Sequence, residues 1–149
     1  MNWTASDFTE HPEGGRFREL YRASELVHRE GKPDRPSCTH IYFQLKEGEV
    51  SRFHKVDQEE IWNLYQGSLR LWIYDPTTER LEKINLCAEE NVFCAVVPAG
   101  CWQAAEPTSE TVLVGCTVAP GFDFEDFELI QKESSIAESL ASQGLNRFL

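Results

Sequence analysis

The sequence lacks the long apolar segments that would place a protein in or across a membrane. No run of about 18 apolar residues occurs. The first fifteen residues, MNWTASDFTEHPEGG, are polar and acidic. They have neither the basic start nor the apolar stretch of a signal peptide. We therefore expect a cytoplasmic protein with no membrane partner.

Basic residues are scarce too. The 149 residues include 25 acidic and 14 basic ones, which gives a formal net charge of −11. Such a surface repels phosphate backbones, so we expect no nucleic-acid partner. Arg16, Arg18 and Arg22 are a local exception, because closely spaced arginines can bind a phosphate. The alternative is that they form a solvated strand face.

Paired cysteines are also missing. The five cysteines form no C-x-x-C motif. An odd number of cysteines without a secretion signal favours free thiols in a reducing compartment. We interpret them as small buried hydrophobic residues. Cys101 is the one most worth following, because it follows the Pro–Ala–Gly turn at 98–100.

What the sequence does contain is segments in which every second residue is apolar. Apolar residues alternate with polar or aromatic ones in THIYFQL (39–45), SLRLWIY (68–74) and ETVLVGCTVA (110–119). This alternation predicts strands with one buried face. Strands separated by turns about every ten residues predict a β-sandwich or barrel. The length suits one domain with a substantial core.

Two regions depart from this pattern. Residues 24–36, SELVHREGKPDRP, are charged and carry two prolines, which predicts an exposed loop with at most one helical turn. The tail, residues 131–149, predicts a helix. Ser135 is placed to cap it together with Glu138, and Gly144 to end it.

The segment GEVSRFHKVDQEEIWNLYQG (48–67) carries the strongest motif. Gly48, His54, Glu60 and Gly67 have the spacing G-x5-H-x-H-x3-E-x6-G, and Val56 stands where the second histidine would be. This spacing resembles the first motif of the cupin superfamily. The later segment PAGCWQ resembles the second motif, P-x-G-x2-H, with a glutamine at 103 in place of the histidine.

Four longer blocks narrow the resemblance. HPEGGRFRELYR, RFHKVDQEEIW, VVPAGCWQAA and LVGCTVAPGFDFEDFEL are similar to the DUF985 or cupin-5 family. That family implies a single cupin domain over residues 1–149. It would be a mostly-β jelly roll (a double-stranded β-helix) at about 11–130, with a helical tail at 131–149. The family also implies a homodimer but no settled reaction.

The resemblance directs attention to a cluster inside the barrel. His54 and Glu60 are expected to converge at the barrel mouth, and Gln103 to join them as a polar anchor. Trp62 and Trp102 would supply apolar walls. Apolar walls with a few converging polar groups are typical of small-molecule sites.

Our first hypothesis is a small-molecule-binding cupin that acts as a metal-independent sugar or nucleotide-sugar isomerase or epimerase. His54 would be the base, because histidine titrates near neutral pH, and Glu60 would orient it. A tyrosine would be the acid, with Tyr42 preferred to Tyr65 and Tyr74. The predicted ligand-binding residues are Gln103, Trp62, Trp102, His40 and Gln44.

Two alternatives remain open. The first is a non-enzymatic ligand-binding or sensing module, and the second is a metal-dependent enzyme such as an oxygenase. Metal-binding cupins typically offer three histidines and a glutamate. Valine cannot ligate, and a glutamine amide is a poor ligand for transition metals, so we expect no tightly held cofactor. If a weak divalent metal binds, its ligands would be His54, Glu60 and Gln103, with His40 and Asn63 as outside candidates.

Two flanking segments have structural interpretations. Gly14 and Gly15 predict a tight turn before the first long strand. Phe122, Phe124 and Phe127, which follow Pro120, predict a turn that closes the barrel edge or the dimer interface.

Overall fold

The computed structural model describes residues 7–149, and strands account for most of them. The strands are β1 (Thr9–Glu10), β2 (Arg16–Arg22), β3 (Leu26–Arg29), β4 (Lys32–Pro36), β5 (Thr39–Lys46), β6 (Ser51–Val56), β7 (Glu59–Gln66), β8 (Ser68–Asp75), β9 (Arg80–Cys87), β10 (Cys94–Val97), β11 (Trp102–Pro107), β12 (Thr111–Ala119) and β13 (Phe127–Leu129). One α-helix, α1 (Ser135–Ser142), follows the strands in the described chain. Short 3₁₀ turns lie at Ala88–Glu90, Phe124–Asp126 and Asn146–Phe148.

Two antiparallel sheets form the body of the protein. The larger sheet has the order β1-β2-β5-β12-β7-β10, and the smaller has the order β13-β6-β11-β8-β9. Strands distant in the sequence are neighbours in both sheets, as when β12 lies between β5 and β7. The predicted mostly-β jelly-roll fold with a C-terminal helix is confirmed.

The main core lies between the sheets. Phe43 and Trp62 face inward from the larger sheet, and Leu69 and Leu71 face them from the smaller one, each at most 1% exposed. These residues occupy one parity of the alternating segments, since successive side chains of a strand point to opposite faces. Burial of apolar side chains of this size contributes roughly 1.5–3 kcal/mol each.

A second apolar cluster covers the outer face of the smaller sheet. Leu140 of α1 and Phe148 pack there against Phe53 and Trp102. The helical tail therefore closes this side of the sandwich.

The helix starts and ends almost as predicted. Its N-cap is Ser134 instead of Ser135: the Ser134 hydroxyl accepts a hydrogen bond from the backbone N–H of Ala137 at 3.2 Å. Ser135 is the first helical residue. Gly144 follows the helix with a φ of 83°, the left-handed conformation that ends many helices.

Residues 24–36 correct a prediction. They form the hairpin β3–β4, which turns at Gly31, and they are neither a loop nor a helical turn. A buried group of polar residues, which we call the hairpin latch, fastens this hairpin to the turn that precedes β13. The hairpin latch consists of Arg29, Arg35, Gln58 and Asp126.

Within residues 7–149, no helix combines the length and the apolar character needed to cross a membrane.

Candidate functional site

A cavity opens between the two sheets and has a volume of about 190 Å³. Most of its wall is apolar, whereas the inner end is polar. The polar residues that line its inner end are His11, Glu13, His54 and Glu60. The aromatic residues of the wall are Phe17, Phe43, Phe122, Phe124 and Phe127.

The turn before β2 carries Glu13 into this cavity. Gly14 and Gly15 have φ values of 110° and 69°, which glycine adopts most readily. A Cβ added to Gly14 would lie 2.1 Å from the carbonyl oxygen of Val50, so the turn packs directly on the neighbouring backbone. The backbone N–H of Arg52 donates to the Glu13 carbonyl at 2.8 Å. The predicted glycine turn is confirmed, and its effect is to bury Glu13.

Glu13 and His54 form a buried ion pair. His54 Nε2 lies 3.0 Å from Glu13 Oε2, and the Ser51 hydroxyl donates to Glu13 Oε1 at 2.9 Å. The other ring nitrogen, His54 Nδ1, lies 2.7 Å from the carbonyl oxygen of Arg52. Both partners of the ring are acceptors, so both ring nitrogens must carry hydrogen. His54 is therefore an imidazolium with no free lone pair.

The pKa directions agree with this geometry. Burial lowers the pKa of His54, but the charge and hydrogen bond of Glu13, with a smaller contribution from Glu60, outweigh it and bring the pKa to about 8. Burial raises the pKa of Glu13, yet the neighbouring His54 leaves it below its ordinary value. Burial also lowers the pKa of His11. The cavity thus holds a charged Glu13–His54 pair beside a neutral His11.

Glu60 is the second carboxyl group of the cavity, and it has no cation bonded to it within the described chain. Gln103 Nε2 donates to Glu60 Oε2 at 2.6 Å, and Trp62 Nε1 donates to Gln103 Oε1 at 2.7 Å. The thiol of Cys116 also bonds to Glu60. Burial raises the pKa of Glu60 to about 7, although His54 opposes the rise. A carboxyl group with this pKa can both accept and release a proton at neutral pH.

The structure brings some of the predicted site residues together. His54 and Glu60 both line the cavity. Gln103 lies behind Glu60 and holds it, and Trp62 lies deeper still, at 1% exposure, as part of the core. The carboxylate that orients His54 differs from the prediction, since Glu13 and not Glu60 is hydrogen-bonded to it.

Other predicted site residues do not reach the cavity. Tyr42, His40 and Gln44 alternate with the inward residues of β5 and therefore lie on the outer face of the larger sheet. Tyr42 packs edge-on against the Tyr65 ring, with 5.8 Å between centroids. The Tyr65 hydroxyl bonds to His40 Nε2 at 2.9 Å. Neither tyrosine can serve as an acid inside the barrel.

Trp102 and Asn63 also lie outside the cavity. Trp102 precedes Gln103 on β11, so the two side chains point to opposite faces, and Trp102 packs in the outer cluster under α1. The Lys55 amine lies 5.0 Å from its ring. The Asn63 side chain bonds to the carbonyl of Gly115 on the outer face of the larger sheet. Tyr74, the other tyrosine considered, lies in the outer cluster too.

Glu13 and His11 are the site residues that sequence reasoning missed. They stand in the block HPEGGRFRELYR, far from the histidine motif along the chain. A carboxylate directly before two glycines is the available signal, because such a turn can pack its side chain inward. Only the pairing of the turn with β6 shows which residue it meets.

The three arginines offered as a phosphate site are each engaged elsewhere. Arg16 pairs with Glu49, and Arg18 pairs with Asp7 at 3.4 Å. Arg22 reaches the cavity rim, where Nη2 lies 2.6 Å from Glu19 and Nη1 donates to the carbonyl of Phe122.

The cysteines of the described chain are all free thiols. Cys101 and Cys116 are buried. Cys101 packs in the main core, whereas Cys116 lines the cavity and contacts Glu60.

The donor set fits a transition-metal site poorly. The amide of Gln103 is used at both ends, by Trp62 and by Glu60, and His54 Nε2 is bonded to Glu13. Val56 lines the cavity where a further histidine would stand. Residues 7–149 contain no group of three or more His, Cys, Asp or Glu side chains arranged to hold a metal ion.

A jelly roll with a polar cluster inside one end of the sandwich is the architecture of the cupin superfamily. Within it, this chain belongs to the family described as Cupin superfamily (DUF985), Cupin_5, which matches residues 4–130. The family expected from the sequence is therefore confirmed.

Solved structures support the same assignment. A protein from Shewanella oneidensis is 32% identical, with a TM-score of 0.81 over 95% of this chain and 90% of that one. A hypothetical protein from Leishmania major is 25% identical, with a TM-score of 0.79 and the same coverage. An oxalate decarboxylase variant from Bacillus subtilis is 16% identical, with a TM-score of 0.64 over 94% of this chain and 36% of that one, and shows the fold alone. A search of the curated proteins finds no match.

Proposed function

We propose that this protein binds a small carbonyl compound in the cavity and isomerises it by proton transfer, without a metal. The observation that carries the proposal is Glu60, a buried carboxyl group on the cavity wall that is free of any bonded cation among the described residues. Its pKa of about 7 makes both of its protonation states available near neutral pH. A group with that property is suited to general acid–base catalysis.

Each group in the cavity has a distinct role. Glu60 removes the proton from the hydroxyl-bearing carbon next to the carbonyl group, which gives an enediolate. The hydroxyl proton passes to the former carbonyl oxygen, and Glu60 returns its proton to the former carbonyl carbon, so the carbonyl group moves by one position and the substrate keeps its composition. The imidazolium of His54 supplies a fixed positive charge near the negative charge that develops on the substrate. Glu13 holds His54 in that state. His54 therefore acts electrostatically and does not serve as the base, because both of its nitrogens are hydrogen-bonded to acceptors.

A single carboxyl group suits isomerisation better than epimerisation. The same group can remove and return a proton on one face of the substrate, whereas inversion needs a second group on the opposite face. The sequence-based proposal placed a tyrosine acid there, and both Tyr42 and Tyr65 lie outside the barrel. We therefore propose an isomerase before an epimerase.

Deuterium exchange tests this proposal directly. The protein is incubated in D₂O with a panel of small aldoses, ketoses, 2-oxo acids and aminoketones, and ¹H NMR follows the C–H signal next to each carbonyl. We expect exchange above the protein-free rate for at least one compound. Glu60→Gln should slow it by about 100-fold or more, which is the usual contribution of a general acid–base group.

Glu128→Gln is the matched control, because Glu128 is an exposed glutamate that pairs with Lys55 at 3.1 Å. It should leave the exchange rate unchanged. Exchange with no panel member, or exchange that survives Glu60→Gln, would contradict the proposal. Ligand binding without exchange would favour the alternative, a non-enzymatic binding or sensing module.

We also propose that the chain forms a homodimer, as the family resemblance implies. Ile61, Tyr65 and Val96 lie on the outer face of the larger sheet and are 37%, 47% and 51% exposed. Light scattering after size exclusion should give twice the chain mass at micromolar concentration, and Val96→Glu should shift it toward the monomer. A monomer at every concentration would contradict this part of the proposal.

A further inference from the structure

The charges that line the cavity do not balance. Glu13 is neutralised by His54 at 3.0 Å, and Glu19 is neutralised at the rim by Arg22 at 2.6 Å. Each cation of the lining therefore already faces a carboxylate. Two acidic residues, Glu60 at the inner end and Asp123 at the rim, have no cation of the lining as partner. Asp123 accepts a hydrogen bond from the backbone N–H of Glu125 at 2.9 Å and lies near Arg35, which is not part of the lining.

Among residues 7–149, every cation that lines the cavity is already paired. Arg22 is bonded through Nε and Nη2 to Glu19 and through Nη1 to the carbonyl of Phe122. His54 has acceptors on both nitrogens, and burial lowers the pKa of His11 toward the neutral ring. An anionic group in this cavity would meet surplus acid and no unpaired cation among the described residues, which is unfavourable in a low-dielectric space.

Five phenylalanines line the wall beside aliphatic residues such as Ile41 and Val118, and their rings also favour a cation. Phe122, Phe124 and Phe127 pack edge to face, with centroids 4.9 to 6.2 Å apart. Phe127 lies almost parallel to the charged His54 ring at 5.5 Å. The negative faces of aromatic rings attract ammonium groups, most strongly where water is excluded.

The size of the cavity sets a second limit. Its volume of about 190 Å³ is below the range of roughly 300–1,000 Å³ that holds drug-sized ligands. A nucleotide sugar is larger than such a ligand and carries two phosphates. Both size and charge therefore weigh against the nucleotide-sugar substrate considered from the sequence.

We infer that the ligand of this cavity is a small molecule with a positively charged amine or ammonium group. Asp123 at the rim and Glu60 at the inner end make the cavity favourable for a positive charge, and the phenylalanine rings surround the ligand. This inference rests on the proposed function in one respect, namely that the cavity is the ligand site. It narrows the substrate class to small amine-bearing carbonyl compounds. The net charge of −11 on the chain would also draw such a ligand toward the protein.

Three probes of equal size separate charge from shape. Benzylamine, benzyl alcohol and benzoate share one ring and one short arm, and at pH 7.5 they are positive, neutral and negative. Calorimetric titration at physiological ionic strength should give benzylamine an affinity about tenfold or more above that of benzyl alcohol. Benzoate should bind more weakly than either.

Variants assign the preference to the cavity. Glu60→Gln should reduce benzylamine affinity by about tenfold, because a neutral amide replaces the facing carboxyl, and should change benzyl alcohol affinity by less than about twofold. Asp123→Asn should act in the same direction with a smaller effect, since Asp123 lies at the rim. Glu128→Gln, remote from the cavity, should leave all three affinities unchanged.

Benzoate or benzyl alcohol binding as tightly as benzylamine would overturn the inference. So would the absence of binding by all three probes up to about 20 mM, well above the millimolar range expected for ligands of this size. The binding titrations test the charge preference of the cavity, whereas the deuterium-exchange experiment tests the isomerase activity, so either proposal can fail without the other. If exchange requires Glu60 but occurs with neutral or acidic compounds, the proposed isomerase activity is supported and the proposed preference for amines is wrong.

Discussion

Two buried polar groups in this protein both combine carboxyl groups with cations, but in opposite proportions. In the hairpin latch, Asp126 accepts from Arg35 Nε at 2.8 Å and Nη2 at 3.1 Å, from Arg29 at 3.3 Å and from Gln58 at 2.5 Å. In the cavity, one imidazolium faces two carboxyl groups. Asp126 therefore has an excess of donors, whereas Glu60 has no cation bonded to it in the described chain.

This difference indicates which group holds the fold and which is available for chemistry. Burial raises the pKa of Asp126, but hydrogen bonds from Arg35 and Gln58 leave it below its ordinary value, so it stays ionised. Burial raises the pKa of Glu60 to about 7, because the nearby charge of His54 and the hydrogen bond from Gln103 offset only part of the rise. A carboxylate with an excess of donors is fixed in one state, and one without them can change state during a reaction.

The hairpin latch should show the largest stability effect. Asp126→Ala leaves Arg35, itself 5% exposed, without its main partner. Removing one member of a buried pair costs about 3–5 kcal/mol, and urea unfolding should show this loss. Glu128→Ala, which breaks the exposed pair with Lys55, should change the free energy of unfolding by less than about 1 kcal/mol. Similar losses in the two variants would mean that the latch is not a tightly coupled pair.

The next largest effect should come from the pair inside the cavity. Glu13→Gln removes the charge that holds the pKa of His54 at about 8. Burial is the largest influence on this histidine and lowers its pKa, so the pKa of His54 should fall below 6.5. NMR titration of the imidazole signals measures it.

The free energy of unfolding should fall as well, by about 2–3 kcal/mol, because the buried His54 ring loses its charged partner. Glu89→Gln is a surface control that should leave the His54 titration unchanged. A His54 pKa that stays near 8 in Glu13→Gln would show that Glu60 and the backbone carbonyl of Arg52 maintain the charge without Glu13.

Glu60 makes stability depend on pH. Its pKa is about 7 in the folded protein against 4.5 ordinarily, so the folded state retains a proton that the unfolded state loses. Its contribution is thus present below about pH 4.5 and is lost as pH rises toward 7. His54, with a pKa of about 8 against 6.5, loses its contribution between those values in the same direction.

Burial lowers the pKa values of His11 and His40, and these two histidines therefore add stability as the pH rises toward 6.5. They offset part of the loss from Glu60 and His54, and the net wild-type stability should fall by about 2 kcal/mol between pH 5 and 8.5. Glu60→Gln should flatten the part of the profile below pH 6.5 and leave a fall above it. Urea unfolding at closely spaced pH values measures both. A wild-type stability that stays constant or rises over this pH range would show that the pKa values of Glu60 and His54 are not raised in the folded protein.

Much of the fold and half of the site follow from the sequence. The alternation in β5, β8 and β12 fixes their inward faces because a strand has a period of two. The motif spacing places His54 and Glu60 on inward positions of consecutive strands. The prediction that Tyr42 faces the cavity conflicts with the alternation in β5. There Ile41 and Phe43 form the apolar, inward face, so Tyr42 must point outward.

The positions of Trp102 and Glu13 could not be predicted, because they depend on contacts between segments that are distant in the sequence. Trp102 looks like a cavity wall until the helical tail is seen to cover its face of the smaller sheet. Glu13 gains its role only because the glycine turn packs on Val50. Nothing in the local sequence states which segments meet, so neither contact follows from pattern or propensity.

The smallest loss of stability should come from Ser51→Ala. This variant tests the hydrogen bonding of Glu13 separately from its charge. Ser51→Ala removes the 2.9 Å bond to Glu13 Oε1 and leaves both charges of the pair in place. Hydrogen bonds to charged groups contribute about 1.5–3 kcal/mol, and we expect a loss at the lower end because the ion pair persists. The pKa of His54 should stay above 6.5, unlike in Glu13→Gln. If Ser51→Ala lowers that pKa as far as Glu13→Gln does, the hydroxyl positions the carboxylate, and the pair depends on geometry as much as on charge.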